Sequence, residues 1–318
     1  MSKKGYFLPD TGYRIPIPTT DNRLTTDYLS RPHSPETGQD RYPEDRSRMR
    51  IALVGPGRAG QSIAIAANGA GHDVVAVAAR DTEQAAAVAQ RFDAVPLAIG
   101  EPIPPVDLIV VAVSDHAIET VAGEVAPIAR NAAASAVHLS GATPVSALRA
   151  FADHGVAIGS FHPLQTMPTP DLGARRLAGA WVAVTADEPL RSTLHDLAET
   201  IGLHPFELSD DNRAAYHAAA TAAANFPISA LAIAQRLFEA RGVPFDAARP
   251  LVDAIVANAF EFGPRRSLTG PIARGDTETV RLQINAVRET TPDLAAAFEA
   301  MVNATAAVAD SFSEGAEE

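Results

Sequence analysis

The chain has 318 residues, which favours two domains, because single hydrophobic cores seldom extend beyond ~250 residues. Apolar residues make up 47% of the sequence and charged residues 20%, as in a globular protein with a buried core. The net charge of −12 argues against a nucleic-acid partner. Cysteine is absent, which excludes disulfides and thiol chemistry and fits a cytoplasmic protein. No apolar run reaches the roughly 18 residues of a membrane helix, so no membrane partner is expected.

The first part of the chain differs in composition from the rest. Residues 1–48 contain many prolines and dispersed charges without an apolar period, which predicts a disordered extension. They include the only lysines, Lys3 and Lys4, so lysine-dependent catalysis is excluded for the remainder of the chain. The segments predicted after this extension are a first domain over 49–208, a helical domain over 209–312, and a disordered tail over 313–318.

Strand and helix signals alternate through the first of these domains. The predicted strands are Ile51–Val54, Val74–Ala79, Leu108–Val113, Ala136–Leu139, Val156–Ser160 and Trp181–Val184. The predicted helices are 58–69, 82–91, 115–129, 144–153 and 190–201. Short connections between alternating elements predict a mostly parallel sheet with right-handed crossovers. After about residue 209 the sequence predicts only helices, over 210–241, 246–261, 276–289 and 292–311.

A glycine-rich turn joins the first predicted strand to the first predicted helix. Its first, third and sixth positions are Gly55, Gly57 and Gly60, which is the spacing of a dinucleotide-binding fingerprint. Gly55 permits the tight turn, Gly57 lets the backbone approach a pyrophosphate, and Gly60 lets helix and strand pack closely. The N–H groups of the new helix, beginning at Arg58 and Ala59, would hold the phosphates. The turn therefore predicts a Rossmann domain, followed here by an all-helical domain.

The end of the second predicted strand indicates which dinucleotide binds. Arg80 and the Thr82 hydroxyl could bind the 2′-phosphate of NADP, and Arg58 is a second candidate for the same phosphate. Asp81 could instead cap the next helix or hold the ribose of NAD. NADP is favoured, and NAD stays possible. Ser114 ends a later strand and is expected near the nicotinamide, or as a helix cap.

Three further strand ends and loops offer groups that could bind a substrate. The Ser140 hydroxyl beside the Gly141 N–H forms a donor pair suited to a carboxylate, or a plain turn. His162 and Gln165 lie in a proline-rich segment that we expect to be a loop. There His162 could act as a general acid or orient a carbonyl, or it could be a structural histidine. Arg274 could clamp a substrate carboxylate, or lie in a simple connection between helices.

The first helix of the second predicted domain carries polar residues at helical spacing. His217, Thr221 and Asn225 recur every four residues among alanines, so they share one helical face. This pattern favours a helix that lines a cleft, with tight helix packing as the alternative. His217 and Asn225 are candidate catalytic residues, and Thr221 is a candidate substrate ligand.

Taken together, these motifs resemble one family, the Rossmann-like proteins with a C-terminal domain of unknown function 2520. The motifs are GPGRAG from Gly55, HLSG from His138, FHPLQT from Phe161, YHAAA from Tyr216 with the later Asn225, and LTGPIARGD from Leu268. The fold is also similar to the 6-phosphogluconate dehydrogenase-like superfamily, which includes pyrroline-5-carboxylate reductase and ketopantoate reductase. The resemblance implies a nicotinamide cofactor and a homodimer formed through the helical domain. Ketopantoate reductases carry a catalytic lysine on the first helix of that domain, and this chain has none there.

The sequence therefore predicts an NADP-dependent oxidoreductase. Its expected substrate is a small carboxylate with a C=O or C=N bond, either a 2-oxo acid such as ketopantoate or a cyclic imine. The alternative is a non-catalytic NADP-binding regulatory protein. A metal hydrolase is disfavoured and no metal is expected, because His138, His162 and His217 lack the spacing of metal ligands.

Overall fold

The computed structural model describes residues 48–310. The predicted extension over 1–48, apart from Arg48, and the predicted tail over 313–318 lie outside the described residues. The described chain divides into two compact units between Ile228 and Ser229.

The first unit is built on one eight-stranded sheet in the order β3-β2-β1-β4-β5-β6-β7-β8. The strands are β1 Arg50–Val54, β2 Asp73–Ala79, β3 Val95–Ala98, β4 Val106–Val111, β5 Ala133–His138, β6 Ala157–Pro163, β7 Trp181–Ala186 and β8 His204–Glu207. All neighbouring strands pair in parallel except β6 and β7, which are antiparallel. The predicted α/β fold with a mostly parallel sheet is confirmed.

Two strands and one helix of this unit were not predicted from the sequence. Strands β3 and β8 are four residues long and each contains a proline, so neither has the buried apolar run on which the prediction depends. Helix α5, over Pro170–Leu177, begins with a proline in its first turn and is capped by the Thr169 side chain. Proline is compatible with that position, although it suggested a stiff loop in the sequence.

The helices of the first unit cover both faces of the sheet. They are α1 Arg58–Gly69, α2 Thr82–Ala89, α3 Ile118–Ala129, α4 Arg149–Asp153, α5 Pro170–Leu177 and α6 Leu190–Thr200. Alternate residues of each strand enter two separate hydrophobic clusters. Ile51 and Leu53 of β1 join one cluster, and Ala52 and Val54 join the other. Burial on both sides explains why the central strands are apolar at nearly every position.

Helix α7, over Arg213–Glu239, continues from the first unit into the second. By length and composition, Asp210–Glu239 could cross a membrane, and it is the one candidate among the described residues. No helix of this kind was predicted from the sequence, and that prediction was wrong. The stretch owes its apolar character largely to alanine, and Arg213 at its start is buried in the first unit. A single such helix is weak evidence, so it does not assign the chain to a membrane.

All the regular secondary structure among the described residues of the second unit is helical. The helices are the end of α7, then α8 Arg249–Phe262, α9 Pro264–Ser267, α10 Thr277–Thr290 and α11 Ala295–Asp310, with two short 3-10 turns. The side chain of Asp276 accepts from the Thr279 N–H and caps α10. The prediction that no strand follows residue 209 holds throughout the described part of the chain.

A close contact between α1 and α5 positions the helix that follows the glycine-rich turn. Ser62 of α1 is fully buried, and its hydroxyl lies 2.8 Å from the Arg58 carbonyl and 3.0 Å from the Pro170 carbonyl. A Cβ atom built on Gly173 of α5 would lie 2.2 Å from the Ser62 hydroxyl oxygen. The two helices can therefore approach only because residue 173 has no side chain.

We expect Gly173→Ala to lower the free energy of unfolding by about 1–3 kcal/mol, because the added methyl group overpacks this contact. Gly123→Ala is the matched control. Gly123 also lies inside a helix, α3, but a Cβ there meets nothing within 4 Å. The control should be stabilising by about 0.5–1 kcal/mol, since alanine is the better helix former. Urea denaturation of both variants measures the difference, and equal stability would contradict the proposed contact.

Candidate functional site

The glycine-rich turn has the local geometry that its sequence predicted. Gly55 has a φ of +87°, which favours glycine, and its N–H donates to the Ala78 carbonyl at 2.8 Å. A Cβ on Gly55 would lie 2.5 Å from a Val113 methyl carbon. A Cβ on Gly60 would lie 2.6 Å from the Cβ of Ala112. Packing within the protein therefore requires glycine at both positions.

Gly57 differs, because packing within the described chain does not require it. A Cβ there would meet one atom, the Ala112 carbonyl oxygen, at an ordinary 3.6 Å. Gly57 is the N-cap of α1, where no side chain caps the helix and no acidic residue occupies the first turn. The first amides of α1, from exposed Arg58, half-buried Ala59 and buried Gly60, are left without a side-chain acceptor. Such a helix end attracts an anion.

Two arginines without partners lie at the carboxyl ends of neighbouring strands. Arg58 follows β1 and Arg80 follows β2, and the two strands pair in parallel. Both side chains are exposed, and neither forms an ion pair or hydrogen bond with another described residue. Asp81 accepts from two N–H groups of α2, so the capping interpretation of this residue is correct. Thr82, also exposed, is the first residue of α2.

Ser114 lies beyond β4 at the same edge of the sheet. It occupies the N-cap position of a 3-10 turn over Asp115–Ala117, but its side chain does not cap that turn. The exposed Ser114 hydroxyl lies 3.4 Å from Nε2 of His116. The hydroxyl is therefore accessible at the edge where the glycine-rich turn also lies.

A buried arginine joins the beginning of α7 to the sheet. Arg213 is 1% exposed. It donates from Nε to Asp210 at 2.5 Å, from Nη1 to the Ser140 carbonyl at 3.3 Å, and from Nη2 to the Thr185 hydroxyl at 2.6 Å and the Ser160 hydroxyl. A buried guanidinium is tolerated only when it is paired and its donors are satisfied. Arg213 therefore attaches the first turn of α7 to β6, β7 and the loop after β5.

His162 and Tyr216 form a hydrogen-bonded pair above this arginine. Nδ1 of His162 lies 2.8 Å from the Tyr216 hydroxyl oxygen, and the two rings meet edge to face at 5.5 Å. The predicted substrate residue Gly141 contacts the same imidazole, because a Cβ on Gly141 would lie 2.7–2.9 Å from three ring atoms. His162 lies inside strand β6, opposite Ala183 of β7, and not in the loop that the prolines suggested.

Burial keeps both members of this pair neutral near pH 7. It lowers the pKa of His162 to about 4, and the electrostatic effects of His217 and Arg213 act in the same direction. Burial also raises the pKa of Tyr216 to about 12, although the charge of Arg213 opposes that shift. His162 is therefore an unprotonated imidazole and Tyr216 an intact phenol under ordinary conditions.

His138 lies at the end of β5 and is fully buried. Its Nδ1 accepts from the Ser140 N–H at 3.2 Å, so the ring proton is on Nε2, which has no partner among the described residues. Burial, followed by the charge of Arg213, lowers the pKa of His138 to about 4. The Ser140 hydroxyl is used within its own turn, where it lies 2.9 Å from the Thr143 hydroxyl and accepts from the Ala142 and Thr143 N–H groups.

The three polar residues of the predicted α7 face differ in their surroundings. The ring of His217 lies 6.2 Å from that of His162, and its buried Nδ1 has no hydrogen-bond partner among the described residues. Thr221 is half-buried and Asn225 is exposed. Of the three, His217 is therefore the one that the structure places beside His162. An unsatisfied buried imidazole nitrogen is a position that a ligand or water can satisfy.

Two other predicted site residues, Gln165 and Arg274, belong to different units of the chain. Gln165 is exposed, and its side-chain amide is already hydrogen-bonded. The Nε2 group donates to the Arg176 carbonyl, and Oε1 accepts from the N–H and the hydroxyl of Thr166. Arg274 belongs to the second unit, where its side chain is exposed and has no hydrogen-bond or ion-pair partner among the described residues. The roles predicted for both residues stay predictions.

No role for Arg213 or Tyr216 was predicted from the sequence. Tyr216 precedes His217 in the YHAAA motif, so the motif itself contained the signal. Arg213 offered less, because an arginine at the start of a helix is normally solvent-exposed. Only Asp210, three residues earlier, hinted at a pairing.

We expect the unfolding free energy to fall by several kcal/mol as the pH drops from about 6.5 to about 4. Folded His138 and His162 have pKa values of about 4, against 6.5 for ordinary histidine, so protons bind preferentially to the unfolded chain across this range. His138→Asn should reduce the slope, since asparagine can still accept from the Ser140 N–H but does not titrate. Urea denaturation across pH 4–8 measures both slopes, with pH 8 as the baseline for any packing cost. Identical slopes in the two proteins would contradict the interpretation.

Two family models match the chain. A Rossmann-like domain matches residues 34–163, and the domain of unknown function 2520 matches residues 180–305. No curated protein matches the sequence.

Several solved structures share the fold. A provisionally named NADP oxidoreductase from Bacteroides fragilis is 23% identical, with a TM-score of 0.70 over 81% of this chain and 98% of that one. An imine reductase from Myxococcus stipitatus in complex with NADP+ is 16% identical, with a TM-score of 0.58 over 80% and 93% of the two chains. A pyrroline-5-carboxylate reductase from Streptococcus pyogenes is 17% identical, with a TM-score of 0.52 over 82% and 99%.

At these identities the similarity to solved structures is one of fold, whereas the two family models match the sequence itself across most of its length. The second model also includes the region of β7, α6 and β8, which precedes the helical segments. The chain therefore belongs to the Rossmann-like proteins with a C-terminal domain of unknown function 2520, as its motifs predicted.

Proposed function

We propose that the protein is an NADP-dependent oxidoreductase that reduces the C=O or C=N bond of a small carboxylate. The observation that carries the proposal is the beginning of α1. There an uncapped helix N-terminus follows Gly57, a glycine that packing does not require, and two arginines without partners lie at the adjacent strand ends. His162 of the His162–Tyr216 pair lies within β6, another strand of the same sheet.

The residues at this edge fit a phosphorylated dinucleotide. The α1 amides and Gly57 would accommodate the pyrophosphate, and Arg80, Thr82 and Arg58 would bind the 2′-phosphate. Asp81 is committed to capping α2, which argues against its use as the ribose ligand of NAD. Structures of the same fold include an imine reductase in complex with NADP+, which supports the choice of cofactor. When bound, the nicotinamide would supply a hydride, with Ser114 as the neighbouring protein group.

The substrate would be held by the polar groups predicted from the sequence. The candidates for the proton donor predicted from the sequence are His217 and His162, while Asn225, Thr221 and Gln165 would orient the substrate. Arg274 is the stronger candidate for the substrate carboxylate. The Ser140 hydroxyl is already used within its turn, although the Gly141 backbone remains a candidate donor.

The second candidate function is a non-catalytic NADP-binding regulatory protein. The absence of lysine from residues 48–310 favours it, and so does the neutral state of His162 and His138 at pH 7. Turnover distinguishes the two functions. Oxidation of NADPH by any 2-oxo acid or cyclic imine supports the enzyme, and tight NADPH binding without oxidation supports the regulatory protein.

We also propose that the second unit forms a homodimer. Helix α8 has no buried residue, and Leu251, Ile255 and Phe260 are exposed on it, Phe260 to 90%. The buried apolar side chains among residues 229–310 are Ile233, Ala248, Val280, Val287 and Val302. A core of this size is too small to stabilise a unit of this length. The remaining apolar surface must therefore be covered by a partner that stays bound. A second copy of the chain is the partner that is always present in equal amount.

For the dimer, we expect the wild-type protein to sediment at twice the 33.3 kDa chain mass. Phe260→Glu should weaken association by about 30-fold or more, because a charge is placed in an apolar interface. Asn258→Glu adds the same charge at a polar position of α8 and is the control. Analytical ultracentrifugation measures all three proteins. A wild-type monomer, or equal weakening by both substitutions, would contradict the interface.

For the cofactor, we expect calorimetry to show that the protein binds NADPH more tightly than NADH. Arg80→Ala should weaken NADPH binding by about 10- to 100-fold and leave NADH binding unchanged, since only the 2′-phosphate loses a charge-assisted hydrogen bond. Arg130→Ala removes another exposed arginine, at the end of α3, and should change neither affinity. No heat with either nucleotide would refute the proposed function, and equal loss of both affinities would refute the role of Arg80.

A further inference from the structure

We propose that Tyr216, held by His162, is the acid that protonates the oxygen of a carbonyl substrate in this site. The assignment rests on the reductase function proposed above and deepens it in two ways. It identifies the proton donor as a residue outside the sequence-based candidates, and it selects C=O over C=N as the reduced bond.

The phenol of Tyr216 is held in place from three directions. His162 bonds to its hydroxyl at 2.8 Å, and Phe206 meets its ring edge to face at 5.9 Å. Arg213, one helical turn earlier, attaches the same helix to the sheet. The imidazole cannot move away from the phenol easily, because the backbone of Gly141 lies against the ring. A proton donor whose position is fixed in this way needs little reorganisation when the reaction occurs.

The charges around Tyr216 suit a group that gives up a proton and then recovers it. Arg213 carries a permanent positive charge that acts on the phenol and favours its ionised form. The carboxylates that act on His162 and His138 are Asp210, which is paired with Arg213, and exposed Asp115. The phenol therefore stays protonated at neutral pH, and a neighbouring cation stabilises the phenolate that forms transiently.

The proposed step balances in atoms and charge. When bound, the nicotinamide would supply a hydride to the carbonyl carbon, and the π electron pair of the C=O bond would move to oxygen. That oxygen would take the proton of the Tyr216 hydroxyl, which leaves an alcohol, the oxidised cofactor and a phenolate. The phenolate would recover a proton from Nδ1 of His162 while Nε2 of the same ring takes a proton from solvent, so each turnover consumes one solvent proton. The imidazole is neutral before and after this relay, and proton exchange with solvent returns it from the Nε2–H to the Nδ1–H tautomer.

The same charges argue against a cationic iminium as the substrate. Hydride addition to an iminium ion gives a neutral amine and needs no proton donor, but the cation must first be stabilised, which an unpaired carboxylate does best. Among the described residues that hydrogen-bond to or stack on His162 or Tyr216, none is a carboxylate, and the carboxylate whose charge acts on His162 is Asp115, which is exposed. A carbonyl becomes negative at oxygen during reduction, and the donors present here match that charge.

The two histidines are weaker candidates for the proton donor. Nδ1 of His162 is occupied by Tyr216, and the ring is neutral at pH 7, so its Nδ1 proton is directed at the phenol and not at a substrate. His217 lies 6.2 Å from His162 between ring centres and has no hydrogen bond to it. A proton donated by His217 would therefore not be replaced through the His162–Tyr216 pair. His162 is therefore a positioning residue that acts through Tyr216.

The test compares Tyr216→Phe, His162→Asn, their double variant and His217→Ala with the wild-type protein. NADPH oxidation is followed with 2-oxo acids (pyruvate and ketopantoate) and with N-methyl-3,4-dihydroisoquinolinium, an iminium that is already cationic. Tyr216→Phe keeps the ring contacts, and urea denaturation confirms its fold. We expect it to lower kcat with the 2-oxo acids by about 10²-fold or more, with NADPH affinity unchanged.

The other variants test how His162 acts. His162→Asn should lower kcat with little change in KM, and the double variant should be no slower than Tyr216→Phe, because both changes interrupt one relay. His217→Ala should retain more than a tenth of the wild-type kcat. Reduction of the iminium by the wild type, if it occurs, should be insensitive to Tyr216→Phe.

Each contrary result overturns a different statement. A kcat of Tyr216→Phe within tenfold of wild type, or a larger loss in His217→Ala, overturns the assignment of Tyr216. Reduction of the iminium but not of the 2-oxo acids overturns the choice of C=O. NADPH binding without oxidation by any probe overturns the assignment and leaves the cofactor site standing. Failure to bind NADPH refutes the proposed function itself.

Discussion

The buried guanidinium of Arg213 is the interaction on which the arrangement at the carboxyl edge of the sheet depends. It donates to β6, to β7, to the loop after β5 and to Asp210, and it is almost fully excluded from solvent. An arginine buried without these partners would cost several kcal/mol, so α7 can begin here only when all of them are in place. Tyr216 follows within one helical turn, and the same contacts therefore position it against His162.

Arg213 also determines the charge of its surroundings. Three rings, those of His138, His162 and Tyr216, lie close enough for its charge to act on their pKa values. Together with burial, it keeps both histidines unprotonated at neutral pH. Around the permanent cation of Arg213, His138, His162 and Tyr216 are therefore neutral hydrogen-bonding groups at pH 7. That environment suits a reaction in which negative charge develops on a substrate oxygen.

The beginning of α1 and the beginning of α7 make different demands on the sequence. At α1 the proposed function would reside in the backbone amides. The sequence leaves them accessible, because residue 57 is a glycine and no side chain caps the helix. At α7 the proposed function would reside in side chains brought together from β5, β6 and the helix. The exposed apolar surface of α8 is a third feature, which the proposed second copy of the chain would cover.

Local patterns in the sequence were sufficient to predict most of the fold and the glycine-rich turn. A buried strand, glycines at set intervals and an amphipathic helix are each encoded within a few neighbouring residues, so the Rossmann domain and the later helices were predicted near their observed bounds. Short edge strands β3 and β8 were missed because their stability comes from pairing with a longer neighbour, not from their own apolar pattern. Only the tertiary structure showed that Arg213 is buried and that Tyr216 bonds to His162, 54 residues earlier. Burial and hydrogen bonding between distant residues depend on how the strands and α7 are arranged in space, and no local pattern records that.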